Sequence, residues 1–164
     1  MRLNRLIIIP LFTGFLSAAA SAQGTQVAFG SLQQDRSLPV EVTSDTLEVD
    51  QATGTAVFKG NVIVGQGEMR LSAPRVLVVY REETQGIERL EATGGVTLVS
   101  GPDEAESQRA DYNIDDGTIV MVGDVLLVQG PSILSSDRMT VQLDSGTAQM
   151  NGRVRTVLQT GENN

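Results

Sequence analysis

The stretch Ser135–Val154, SSDRMTVQLDSGTAQMNGRV, decides the architecture of the chain. It opens on a small polar pair, sets Met139, Val141 and Leu143 at every second position, turns at Gly146, resumes alternation at Ala148 and Met150, and ends on Gly152-Arg153-Val154. Alternation of period two marks strands with one buried face. The same G-x-V anchor recurs at Gly60-Asn61-Val62, Gly94-Gly95-Val96 and Gly123-Asp124-Val125, at spacings of 34, 29 and 29 residues. A fixed period in this range belongs to repeat architectures, whose units cannot bury their apolar faces alone.

The other copies carry the same reading. Leu47 and Val49 share a face before the Ala52-Thr53-Gly54 turn, and Ala56, Phe58, Val62 and Val64 continue it. Met69, Leu71 and Ala73 follow, then Val76, Val78 and Tyr80, with Pro74 expected to break that segment in two. The longer first spacing is explained by an inserted surface turn at Arg81–Gly86. Leu90, Ala92, Val96 and Leu98 face in. After a turn at Gly101-Pro102-Asp103-Glu104 come Ala110, Tyr112 and Ile114, the Asp115-Asp116-Gly117 turn, and then Ile119, Met121, Val125 and Leu127. A glycine at the same register in every copy marks a bend or bulge, read as a corner where the chain passes from one sheet to a facing one. The expected fold is therefore all-β: two antiparallel sheets folded over one another, open at both ends, with a lining thin enough to leave a groove.

Composition bounds the rest. Arg2 and Arg5, an apolar run from Leu6 to Leu16 and Ala20-Ser21-Ala22 read as a secretory signal over residues 1–22, cleaved before Gln23. Losing those two arginines takes the formal charge from −8 to −10, which argues against nucleic acid. Residues 23–37 read as a mobile arm, 38–158 as one β domain, and 159–164 as a disordered tail. With no Cys the chain has no disulfides, and with no His as well it lacks the commonest general base, the thiolate nucleophile and the usual transition-metal ligands. Asp115 with Asp116 and Glu82 with Glu83 sit in turns, where solvated acids are the ordinary finding. Asp111–Gly117 imitates the start of a calcium loop, but its Gly comes one position late and Val122 stands where a Glu is needed. No catalytic residue, metal or cofactor is expected.

Arg75, Arg109 and Arg138 share one register and face outward, with Lys59, Arg153 and Arg155 as lesser cations. They pair with neighbouring acids such as Asp111 and Glu48, or bind an anionic headgroup. The Leu38–Val42 segment and the strand ending at Leu158 are the expected open edges, suited to β-augmentation.

Pro39-Val40-Glu41-Val42-Thr43-Ser44-Asp45, Gly54 and Phe58-Lys59-Gly60-Asn61-Val62 resemble the opening of the OstA-like domain of the LptA family of periplasmic lipopolysaccharide transport proteins, and the later G-D-V and N-G-R-V copies fit its repeats. The resemblance covers about Leu38 to Leu158. It implies a β-jelly-roll shaped like a folded taco, a non-enzymatic periplasmic carrier of lipid A acyl chains, and head-to-tail self-association. It also implies edge-to-edge docking to LptC-type inner-membrane and LptD-type outer-membrane proteins. The inward positions that it implies for lipid are Leu47, Val49, Phe58, Val62, Val64, Met69, Leu71, Val76, Val78, Leu90, Leu98, Tyr112, Ile119, Met121, Val125, Leu127, Met139, Val141 and Met150. An LptC-like or LptD N-terminal-like component is the near alternative; the signal argues against an anchored LptC type, and no barrel sequence follows for a full LptD. A structural or adhesive β-repeat that fills its own interior is the alternative from another class, and a carboxylate-only glycosidase a distant third.

Overall fold

Strands dominate because β-branched and aliphatic residues recur at every second position, in places with apolar residues between them as in Val76–Tyr80 and Ile119–Val122, and no stretch of the β domain has helical periodicity. The computed structural model describes residues 24–30, 36–84 and 86–158, so the signal segment and the tail lie outside the described residues. The described residues form eleven strands: β1 (Thr25–Ala28), β2 (Glu41–Thr43), β3 (Thr46–Asp50), β4 (Thr55–Gln66), β5 (Met69–Tyr80), β6 (Ile87–Ser100), β7 (Asp103–Asn113), β8 (Thr118–Gln129), β9 (Ser132–Gln142), β10 (Thr147–Asn151) and β11 (Arg155–Val157). All belong to one antiparallel sheet in the order β1-β10-β9-β8-β7-β6-β5-β4-β2, with β3 also on β4 and β11 also on β9. The two facing sheets expected from sequence are the two halves of this single sheet.

A crease divides the halves. Every pairing from β4–β5 to β8–β9 shifts register at one level, for example between Lys59 and Val62 on β4 and between Val122 and Val125 on β8. At that level Gly123 and Asp124 both have positive φ, +88° and +48°. Two successive left-handed residues bend the strand, and only Gly and Asn/Asp adopt that region at low cost. The alternate strands use a different device: Ser107 Oγ donates to the Arg109 carbonyl at 2.9 Å, and Ser136 Oγ to the Arg138 carbonyl at 3.0 Å. Side chains bridge neighbouring strands along the crease, as in Asn61 to Asp45 at 2.9 Å and Gln108 to Asp124 at 2.6 Å. The strands next to β4 and β9 are broken there, giving β2 and β3 at one end and β10, with β1 beyond it, and β11 at the other.

Three sequence expectations are corrected. Thr25–Ala28 is not part of a free arm: it pairs with β10, and Phe29 behind it is 3% exposed in the core. The reason is tertiary, an unpaired β10 edge more than a hundred residues away. Pro74 does not break β5, because it sits where the ladder to β6 is already interrupted between Ser72 and Arg75, so its missing N–H removes no bond there. Asp103 and Glu104 open β7 rather than lying in the turn.

Candidate functional site

The inner face is built in cross-strand rows. On one half, Leu47, Phe58, Val76, Ala92, Ala110, Met121, Met139 and Met150 stand opposite one another in turn from β3 to β10. A second row on the same half joins Val49, Ala56, Val78, Leu90, Tyr112, Ile119, Val141 and Ala148. On the other half Val42, Val64, Leu71, Leu98, Ala105, Leu127 and Leu134 form the answering row. One sheet layer cannot bury a whole face, so these rows are covered by each other, and all of their members but Leu47 and Val49 form one continuous apolar cluster.

Of the inward positions named from sequence, all but three are buried. Phe58 is half-buried, while Leu47 and Val49 are 53% and 63% exposed. Those three lie at the β3 end, where no further strand covers the inner face. The expectation of a groove along the interior is not met: Val76, Leu98, Ile119, Met121, Leu127, Met139 and Met150 are 0% exposed, so the lining packs against itself without a water-sized gap. Phe29, Ala105 and Leu134 are lining residues that sequence reasoning missed. Leu134 could have been found from its place opposite Leu127, but adjacent Ile133, which faces out, obscures the period.

Tyr112 carries the polar feature of the interior. Its hydroxyl donates to Gln66 Oε1 at 2.6 Å, linking the two halves on the side away from the crease. Burial pushes its pKa from 10.0 up to about 12. The neutral phenol is thus the form that the fold favours; the stability that this contributes is complete below pH 10 and is lost as pH rises towards 12. The loss across that range is on the order of 3 kcal/mol. Urea midpoints should fall between pH 10 and 12 in the wild type, and Tyr112→Phe should flatten much of that slope; an identical slope in both would refute the assignment.

The outer face is solvated and charged. Arg75, Arg109 and Arg138 are all exposed. Arg109 pairs with Asp111 at 2.8 Å and Glu91 at 3.5 Å, while Glu48 pairs with Lys59 at 2.8 Å. At the crease, the hydrogen bond from Arg153 holds the Asp137 carboxyl below the ordinary carboxylate range. Asp111–Gly117 forms the end of β7 and a turn, and among the described residues no group of three or more acidic, His or Cys side chains could hold a metal ion.

Residues 41–147 match the family model described as "LptA/(LptD N-terminal domain) LPS transport protein". The chain belongs to this family. An uncharacterized protein of Rhizobium meliloti (strain 1021) is 33% identical over 125 residues, covering 72% of this chain and 67% of that protein. The lipopolysaccharide export system protein LptH of Pseudomonas aeruginosa is 34% identical over 68 residues, 42% of this chain and 36% of its own length. Escherichia coli (strain K12) LptA, a lipopolysaccharide export system protein, is 26% identical over 114 residues, 66% of this chain and 62% of its own length. The chain thus matches less than two thirds of the length of LptH and of LptA. The crystal structure of P. aeruginosa LptH, described as the periplasmic component of a lipopolysaccharide transport device, superposes with a TM-score of 0.68 at 19% identity, covering 77% of this chain and 99% of that one. The family's fold, a jelly-roll-like antiparallel sheet not closed into a barrel, is the fold of this chain.

Proposed function

We propose that the chain is a periplasmic, non-enzymatic carrier that receives the acyl chains of lipopolysaccharide between the halves of its sheet and passes them from the inner towards the outer membrane. The observation that carries this reading is the unbroken apolar interior that reaches Phe58 and continues in register onto the exposed Leu47 and Val49 of β3. Each methylene moved from water into such a lining contributes about 0.8 kcal/mol, so a chain of about a dozen carbons would be held without any specific polar contact. Edge strands β2 and β3 at one end and β11 at the other offer backbone groups to further strands, which supports docking to LptC-type and LptD-type proteins and to other copies. A photo-crosslinking residue at Phe58, Met121 or Val141 should label lipopolysaccharide, and one at Arg75 or Glu48 should not; equal labelling from both sets would overturn the interior site. Light scattering should show mass rising with concentration; a monomer throughout, alone and with partners, would overturn end-to-end assembly.

A second reading has one observation in its favour. The dry, closed packing of Met121, Met139 and Leu98 suits a β-repeat protein that fills its own interior and binds no lipid. Absence of labelling from all three interior positions would favour it.

A further inference from the structure

The crease closes one long side of the folded sheet; the opposite side is a mouth, where turns of the two halves meet. The N-terminal chain lies across this mouth twice. Phe29 N–H donates to the Gly146 carbonyl on one half at 2.9 Å, and Gly30 N–H donates to Asp103 Oδ2 on the other at 2.8 Å, with the Phe29 ring in the core between them. Gln129 Nε2 ties the same crossing down, donating to the Ala28 carbonyl at 2.6 Å and to Asp103 at 2.9 Å. At the second crossing Arg36 donates to Asp144 through Nε and Nη2, the latter at 2.8 Å, and through Nη1 to the Ile114 and Asp115 carbonyls, both at 2.9 Å. These partners are turns of one half. The carbonyls of Arg36 and Leu38 accept from Gln66 Nε2 on the other half, at 3.2 and 3.0 Å, and Gln66 in turn holds the Tyr112 hydroxyl.

We propose that the described pieces 27–30 and 36–38 are a latch that holds the mouth shut, and that releasing it admits acyl chains sideways into the interior. The inference rests on the carrier reading. A lining at 0% exposure has no room for a chain until its halves separate. The crease, bridged strand by strand along its length, is the hinge side. The mouth is held by a few local contacts, and β1, at four residues, is short beside the 11 to 14 residues of β4–β9. Short edge elements with solvent-exposed hydrogen bonds open first. Phe29 leaving its slot would vacate apolar space of the kind an acyl chain fills.

The chain has no cysteine, so introduced thiols report alone. A Cβ added at Gly30 would lie 3.2 Å from Ser100 Cβ on the far half, near the span of a disulfide, so Gly30→Cys with Ser100→Cys can pin the first crossing; at φ +80° the new side chain strains the backbone equally in both redox forms, so the oxidised protein is compared with its own reduced form. Full-length protein carrying this pair and a photo-crosslinker at Met121 is mixed with purified lipopolysaccharide, oxidised or reduced. Oxidation should slow labelling at least tenfold and reductant should restore it, while Arg36→Ala without the lock should speed it several-fold. Equal rates in the oxidised and reduced forms would overturn the latch. Without lipid, the single thiol of Ile119→Cys should react with a soluble disulfide reagent at least tenfold faster when Arg36→Ala is added; an unchanged rate would also overturn it. No labelling in any form, with the thiol rate still responding to Arg36→Ala, would strike the carrier reading and leave the latch standing.

Discussion

Replacing Met139 with aspartate is expected to abolish cooperative folding. Met139 is 0% exposed, stands between Met121 on β8 and Met150 on β10, and faces the answering row of the other half. A carboxylate there has no partner and would be driven neutral, and a neutral acid in the same place still leaves its polar atoms unsatisfied. The combined loss of packing and desolvation exceeds about 4 kcal/mol, comparable to the lower end of the roughly 5–15 kcal/mol that holds a domain folded. Met139→Leu keeps volume and apolarity and should cost less than about 1.5 kcal/mol. The chain has no Trp and two Tyr, so far-UV circular dichroism during urea titration is the natural readout. A cooperative transition for Met139→Asp at the wild-type midpoint would show that the halves are not packed on each other at this row.

That row also shows what a reader of the sequence could reach. Met139 and Met150 are identifiable as inward because each falls in an alternating run with polar neighbours, whereas Met121, between Val120 and Val122, is placed by its register two residues before Gly123, and pairing then sets the three side by side. The crease was half legible. Gly60, Gly123 and Gly152 announced a corner, but Ser107 and Ser136 on the intervening strands read only as small polar residues, since their bonds to the Arg109 and Arg138 carbonyls exist once the bend is made. Alternation assigns a face and says nothing of what covers it. Leu47 and Val49 therefore read the same as Val76 and Val78, although the first pair stands at an open end. The closed interior was out of reach for a related reason: composition gives the bulk of the lining, whereas the angle at the crease gives the space between its halves. The latch depends on Gly30 and Arg36 meeting partners 73 and 108 residues away, and no local pattern encodes such meetings.

If the crease fixes that angle, glycine substitutions along it should separate two costs. Gly95 has φ +96° with nothing within 4 Å of an added Cβ, so Gly95→Ala bears backbone strain alone, about 1–2 kcal/mol. Gly123 has φ +88°, and an added Cβ would lie 2.8 Å from Gln108 Oε1 and 3.0 Å from Gln108 Cβ. Gln108 must move to relieve the clash, which breaks its 2.6 Å bond to Asp124 on the neighbouring strand. Gly123→Ala should therefore cost about 1 kcal/mol more than Gly95→Ala, the worth of a typical hydrogen bond. In a double-mutant cycle, Gln108→Ala removes both the outer atoms of the clash and the bond, so adding it to Gly123→Ala should do less damage than the two single changes predict. Valine at Gly123 adds a branched side chain in the left-handed region, where such residues are outliers, and should destabilise by roughly 3 kcal/mol or more. Urea unfolding would rank the set. If Gly95→Ala proves as costly as Gly123→Ala and the cycle is additive, the bridge from Gln108 does not hold the crease, and the bend is set by the backbone conformation of Gly123-Asp124 alone.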